Sequence, residues 1–189
     1  MQTHDRTAAL LRITALALGV LFAGAAPAQP LSMSGPDYQA AKERIGDDYQ
    51  SASKNCDRLA GNAKDICDAE AKGKQQVQEA ELDYRRTGTA DDAAKVDQAR
   101  ADAAFEVTRQ MCDDRAGHEK EVCLREARAT QVRAKADAKA AATSATARRE
   151  ATGDKRNADY ELAIERCNAY SGSAKSECVD AAKARYRKN

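Results

Sequence analysis

From residue 38 onward, apolar positions recur at helical spacing. Tyr38, Ile45, Tyr49, Ala52, Cys56 and Leu59 form one stripe, with charged residues between them. The stripe predicts a first helix that carries it through Leu59. Gly61 then interrupts a sequence that is helical in composition on both sides. Glycine readily takes the left-handed conformation that ends a helix. The pattern predicts helix, tight turn, helix.

The same unit occurs three times. Cys56 and Cys67 bracket ten residues, as do Cys112 and Cys123, and Cys167 and Cys178; the first cysteines lie 56 and then 55 residues apart. Gly61, Gly117 and Gly172 each follow a first cysteine by five, and Lys64, Lys120 and Lys175 by eight. Tyr49, Phe105 and Tyr160 each precede one by seven. Ala71, Ala127 and Ala182 follow each second cysteine by four, and a base comes next: Lys72, Arg128, Lys183. A period of this length marks one supersecondary unit used repeatedly. We therefore expect an all-α chain of three antiparallel helical hairpins in an elongated arrangement, with Gly61, Gly117 and Gly172 at the turns. Asn62, His118 and Ser173 follow these glycines, and Asn and Ser suit the cap of the next helix.

The cysteines sit at matching heights on the two arms. Packed helix axes 8–10 Å apart put facing Cα atoms roughly 4–5.5 Å apart, within reach of a disulfide. The repeat favours the local pairing 56–67, 112–123 and 167–178. A loop this short contributes on the order of 2–3 kcal/mol per bridge. Metal is the rival chemistry, but no C-x2-4-C knuckle occurs, and redox catalysis would want C-x-x-C. No metal or cofactor is expected. Seven residues are two helical turns, so Tyr49, Phe105 and Tyr160 share a face with their cysteines. Ala71, Ala127 and Ala182 lie at that height on the opposite arm. These six are read as hairpin packing.

Boundaries follow from breaks in the pattern. Residues 29–36 read as a flexible leader, with Pro36 opening the first helix. Hairpin 1 covers roughly 37–87. Gly88 breaks the chain, and Thr89 is placed to cap the next helix. Hairpin 2 covers roughly 90–143. Hairpin 3 is placed at 144–189, its start left between Thr143-Ser144, Gly153 and a helix running through both.

Composition narrows the class. Beyond residue 28 there are 34 Ala but only 17 Leu, Ile, Val, Phe and Met. That is too little bulk for a compact α/β core of this length. The N-terminus reads as an export signal: Arg6 and Arg12, an apolar run from Ile13 to Ala26, then Ala26-Pro27-Ala28. Cleavage is expected after Ala28, leaving a periplasmic chain without a permanent membrane span. Its 29 bases and 29 acids then cancel, which steers it toward no nucleic acid. Locally, residues 124–150 hold seven bases against three acids.

No catalytic constellation appears. His118 is the one histidine beyond the signal, and phosphate-binding glycine loops are missing. The chain is expected not to be an enzyme.

Cys56-Asp-Arg-Leu-Ala-Gly-Asn-Ala-Lys-Asp-Ile-Cys67, followed by Asp-Ala-Glu-Ala-Lys-Gly, resembles a repeat in small secreted proteobacterial proteins. These are often labelled TolA-like cell-envelope proteins. The resemblance covers residues 38–189 loosely and the C-x10-C cores specifically. True TolA has a transmembrane anchor and a folded C-terminal domain, neither of which is evident here. The resemblance implies a bacterial, periplasmic setting. Two functional expectations follow. One is a structural or interaction protein whose partner is an envelope protein or the cell wall. The other is a holdase chaperone or envelope-stress protein, which would expose apolar grooves around Val96, Val107, Met111 and Val132.

Overall fold

The computed structural model describes residues 33–188, so the signal segment and the first half of the leader lie outside the described residues. Five helices follow in order: α1 Gly35–Cys56, α2 Asn62–Thr87, α3 Ala90–Cys112, α4 Gly117–Cys167 and α5 Gly172–Tyr186. Each packs only on its chain neighbours; among the described residues no other pair of helices meets. The result is an open, all-α meander. Hairpin 1 is α1 and α2. Hairpin 2 is α3 with the first part of α4, and hairpin 3 is the rest of α4 with α5.

The first helix starts earlier than the leader expectation allowed. The Ser34 hydroxyl accepts from the Asp37 amide at 3.2 Å, and Pro36 sits in the first turn. A proline costs nothing there because its missing N–H would have no helical partner. The stripe ends at Cys56 rather than Leu59, which lies in the turn and is exposed. Gly61, Gly117 and Gly172 reverse the chain with φ of 58°, 53° and 60°. Asn62, His118 and Ser173, however, do not cap. They lie inside the next helix, and α2, α4 and α5 begin without a side-chain cap bond. The cap position falls one residue or more earlier, on Gly61, Ala116 and Ser171.

The two junctions between hairpins differ for a local reason. Gly88, at φ 62°, closes α2 by donating to the Tyr84 carbonyl at 2.8 Å. Thr89 then caps α3, accepting from the Asp92 amide at 3.1 Å. The Asp92 carboxylate takes bonds from the Thr87 and Thr89 hydroxyls and from Lys95 at 2.7 Å. One period later stand Thr143 and Ser144, and the spacing between cysteines is one residue shorter. With no glycine to adopt positive φ and no carboxylate to complete the cap, α4 continues unbroken for 51 residues, about 75 Å. Thr143 and Thr152 turn their hydroxyls back to the Lys139 and Arg148 carbonyls, a bond that suits a helix interior. The boundary between hairpins 2 and 3 is therefore a continuous helix, through Gly153 as well.

Alanine carries most of the packing. Ala90 and Ala94 of α3 meet Ala138 and Ala142 of α4, with Ala145 beside them. Between hairpins, α2 lies so close to α3 that a Cβ at Gly73 would sit 2.6 Å from the Ala103 Cβ. Leu82 of α2 is fully buried. Polar links reinforce these contacts. Buried Gln131 donates to Asp102 at 2.5 Å and accepts from Arg128 at 2.7 Å, while Lys135 reaches the same Asp102. At the far end Asn62 donates to the Gln110 carbonyl at 2.9 Å, joining the tips of hairpins 1 and 2.

Gly73→Ala is expected to cost on the order of 1–3 kcal/mol through overpacking. Gly46→Ala and Gly153→Ala, where the added carbon meets nothing within 4 Å, are expected to stabilise by about 0.5–1 kcal/mol. Urea melts of the three variants check the opposite signs. A second expectation concerns acid. Hydrogen bonds from Lys95, Thr87 and Thr89 hold the Asp92 carboxyl down at about 2, against an ordinary 3.8. Its contribution is thus full above about pH 4 and lost as pH falls toward 2. Asp92→Asn should flatten the stability profile across that window, measured by melts at fixed ionic strength.

Candidate interaction surfaces

The hairpin necks are the most ordered chemistry in the molecule. Cys56–Cys67, Cys112–Cys123 and Cys167–Cys178 are bonded, with Cα atoms 5.5, 5.7 and 5.7 Å apart. No free cysteine occurs among the described residues. The first cysteine of each pair is at most 1% exposed, so the staple also fills the space between the arms. The spacing works because each cysteine stands at nearly the same height above the turn, where the arms are closest.

The lysine eight residues after each first cysteine has a role the spacing alone did not reveal. Lys64 reaches back across the turn to Asp57 at 3.0 Å, and Lys120 to Asp113 at 2.8 Å. These carboxylates sit at the C-terminal ends of α1 and α3, immediately after the cysteine. Lys64 also pairs with Asp68 at 2.8 Å, and the two bonds raise its pKa. Lys120 lowers that of Asp113. Exposed pairs of this kind contribute little to stability. In the third unit Asn168 replaces the acid, and the pairing of Lys175 with it is lost.

The aromatic seven before each first cysteine is half-buried, and in hairpins 1 and 2 the base next to the repeat alanine lies over its ring. Lys72 Nζ is 5.2 Å from the Tyr49 centroid, and the Arg128 guanidinium 5.6 Å from Phe105. In hairpin 3 the base is Lys188, 5.6 Å from Tyr160, and Tyr186 meets that ring edge-on at 6.2 Å. Lys183 instead approaches Asp180 at 4.0 Å. Ala71, Ala127 and Ala182 are each 7% exposed. Small side chains there keep the arms close enough for the base to cross to the ring. A related clasp closes the open end of hairpin 1, where the Tyr38 hydroxyl donates to Asp83 at 2.7 Å and Arg86 lies 4.4 Å from its ring.

Each of hairpins 2 and 3 carries a shallow groove over its neck, built from matching repeat positions. The groove on hairpin 2, about 340 Å³, includes Arg115, Glu126 and Thr130. Hairpin 3 presents Tyr170, Ala181 and Arg185 at those places, in about 530 Å³. The same backbone therefore presents Arg115, Glu126 and Thr130 over one neck and Tyr170, Ala181 and Arg185 over the other. Among the described residues no cluster of three or more His, Cys, Asp or Glu side chains is placed to hold a metal. His118 is exposed at a turn.

Several structurally important residues were not singled out by the sequence pattern: Gly73, Asp92, Asp102 and Gln131. A glycine inside an alanine-rich helix costs about 1 kcal/mol unless packing requires it, so Gly73 carried a readable signal. So did Asp92, three residues after a capping threonine. Asp102 and Gln131 had none, because their pairing depends on how α3 and α4 register.

Non-reducing peptide mapping should recover the three local pairs and no free thiol. Reduction should cost on the order of 2–3 kcal/mol per bridge while circular dichroism retains much of the helix. Tyr49→Ala should destabilise hairpin 1 by about 1–2 kcal/mol and leave its disulfide formed.

No protein-family model matches this chain, and no curated protein or solved structure matches it.

Proposed function

We propose that this chain is a non-catalytic periplasmic structural or interaction protein. It is exported, cleaved after Ala28, and presents disulfide-stapled hairpins to an envelope protein or a cell-wall component. The resemblance of its C-x10-C units to secreted proteins labelled TolA-like supports the same setting. The observation that carries the reading is the open meander: each helix touches only its chain neighbours. Large helical faces stay available, while three covalent necks hold the tips in shape. Disulfides persist in oxidising compartments, which agrees with export. No helix among the described residues is long and apolar enough to cross a membrane.

The holdase alternative asks for a continuous apolar groove. Of the four residues expected to line one, Val96 is buried and Val107 half-buried, while Met111 and Val132 are exposed on different helices. That arrangement favours docking at defined surfaces over clasping of unfolded clients.

The test is a crosslinking capture from periplasmic extract with the oxidised full chain, followed by titration of the captured partner. Binding should weaken at least tenfold when the three bridges are reduced, because the tips lose their shape before the helices melt. Equal affinity for oxidised and reduced protein would remove the role of the staples. Suppression of outer-membrane-protein aggregation at near-stoichiometric amounts would favour the holdase, and sustained turnover of a small molecule would overturn the non-catalytic reading.

A further inference from the structure

Hairpin 3 buries less of itself than hairpins 1 and 2 do. Among its described residues, 144–188, only Cys167 of α4 and Ala182 of α5 are buried. Tyr160, Ala163 and Ile164 on α4, and Cys178, Val179 and Tyr186 on α5, are half-buried. Beside the disulfide, two polar and aromatic ties hold α5 to α4, both near its end. Tyr186 meets Tyr160 edge-on at 6.2 Å, and Lys188 donates to Asn157 at 2.7 Å while lying over the Tyr160 ring. No ion pair joins the two helices among the described residues. At 15 residues, α5 has the length at which an isolated helix is marginal in water.

The other edge helix is anchored differently. α1 is 22 residues long and buries Ile45 as well as Cys56. Tyr38 donates to Asp83, and Arg86 and Lys72 lie over the Tyr38 and Tyr49 rings. α3 is gripped from two sides, by α2 and by α4. Opening either of the first two bridges therefore leaves each arm with substantial partners. Access to the sulfurs differs as well. Cys112 and Cys123 are 0% and 7% exposed. Cys178 is half-buried, and the groove over hairpin 3 is lined by both Cys167 and Cys178, whereas the groove over hairpin 2 reaches Cys123 alone. Cys67 is half-buried too, but its helix is held on another side by α3, where Gly73 meets Ala103. Hairpin 3 thus combines an accessible bridge with the weakest anchorage behind it.

We propose that the Cys167–Cys178 bridge is a redox latch: a dithiol reductant opens it ahead of the other two, and α5 then leaves α4 while hairpins 1 and 2 keep their fold. One thiolate of the reductant enters the groove and attacks the Cys178 sulfur. The bond between Cys167 and Cys178 breaks, a mixed disulfide forms to Cys178, and Cys167 leaves as a thiolate that takes up a proton. The second thiol of the reductant then attacks the mixed disulfide, frees Cys178 and departs as the reductant's own disulfide. Two electrons and two protons pass to the protein. Regions with few buried contacts open locally and without the rest of the fold. Once released, α5 is too short to hold its helix alone, and the end of α4 loses its packing partner, uncovering Tyr160, Ala163 and Ile164. The change is confined to the lone tip.

The experiment is timed reduction of the oxidised full chain with dithiothreitol, alkylation of the freed thiols, peptide mapping of each bridge, and hydrogen exchange on the same samples. Cys167 and Cys178 should be alkylated roughly fivefold faster or more than the other four cysteines. In the species with this bridge alone open, the amides of α5 should exchange roughly tenfold faster or more, while those of α1, α2 and α3 stay protected. Two double variants separate anchorage from access without any reductant. Cys167→Ser with Cys178→Ser should release α5, and Cys56→Ser with Cys67→Ser should leave α1 protected. Equal or earlier opening of another bridge, full protection of α5 once its bridge is gone, exposure of α1 in its own double variant, or loss of protection in every helix when this bridge alone opens would each overturn the proposal.

Discussion

Two alanine faces brought together bury little apolar surface, and they bury it only at close range. That constraint governs the rest of the architecture. Ala90, Ala94, Ala138 and Ala142 make the cluster between α3 and α4, where a larger globular domain would use leucine and isoleucine. Each alanine removes only about a methyl group from water, worth roughly 0.8 kcal/mol. Helices held so lightly need a second restraint, and the restraint is covalent. A disulfide shortens the unfolded ensemble at the point where the arms must meet. The alanines in turn bring the cysteines within bonding distance.

The repeat made most of this legible. The cysteine pairs, the turn glycines and the aromatic–alanine positions are all fixed by spacing within about 30 residues, so their geometry can be read before any tertiary contact is known. What escaped depended on contacts between units or on the detail of a terminus. Asn62, His118 and Ser173 have suitable chemistry for a cap at two of three sites, but at the positive-φ glycine the next helix starts one or two residues too early for them. The lysine role needed the position of Asp57 and Asp113 across the turn. The unbroken α4 followed from a comparison that spacing invited but did not complete: Gly88, Thr89 and Asp92 have no counterparts after Thr143.

That one difference reshapes the molecule. At Gly88 the chain doubles back, so the tips of hairpins 1 and 2 lie side by side and Asn62 bonds Gln110 between them. At Ser144 it runs straight on. Hairpin 3 is carried along a single strut, and its tip comes at the opposite end. A chain with three copies of one unit therefore has paired tips at one end and a lone tip at the other. The strut itself, shared by two hairpins, has one packed side and one bare side.

The third unit also departs from the other two in its side chains. Asn168 stands where Asp57 and Asp113 clasp a lysine, and Tyr170 where Arg115 lines the groove of hairpin 2. Tyr186 joins Tyr160 where the first two units offer a base alone. With a short second arm of 15 residues, hairpin 3 leans more heavily on its disulfide than the others do. Its lost polar contacts are replaced by aromatic surface that remains open to solvent. Relaxed electrostatics at the turn and added aromatic area in the groove arise together, at the one tip that has no neighbour. The covalent staple is what permits both: it keeps the backbone of the unit unchanged while the side chains over it take on different chemistry.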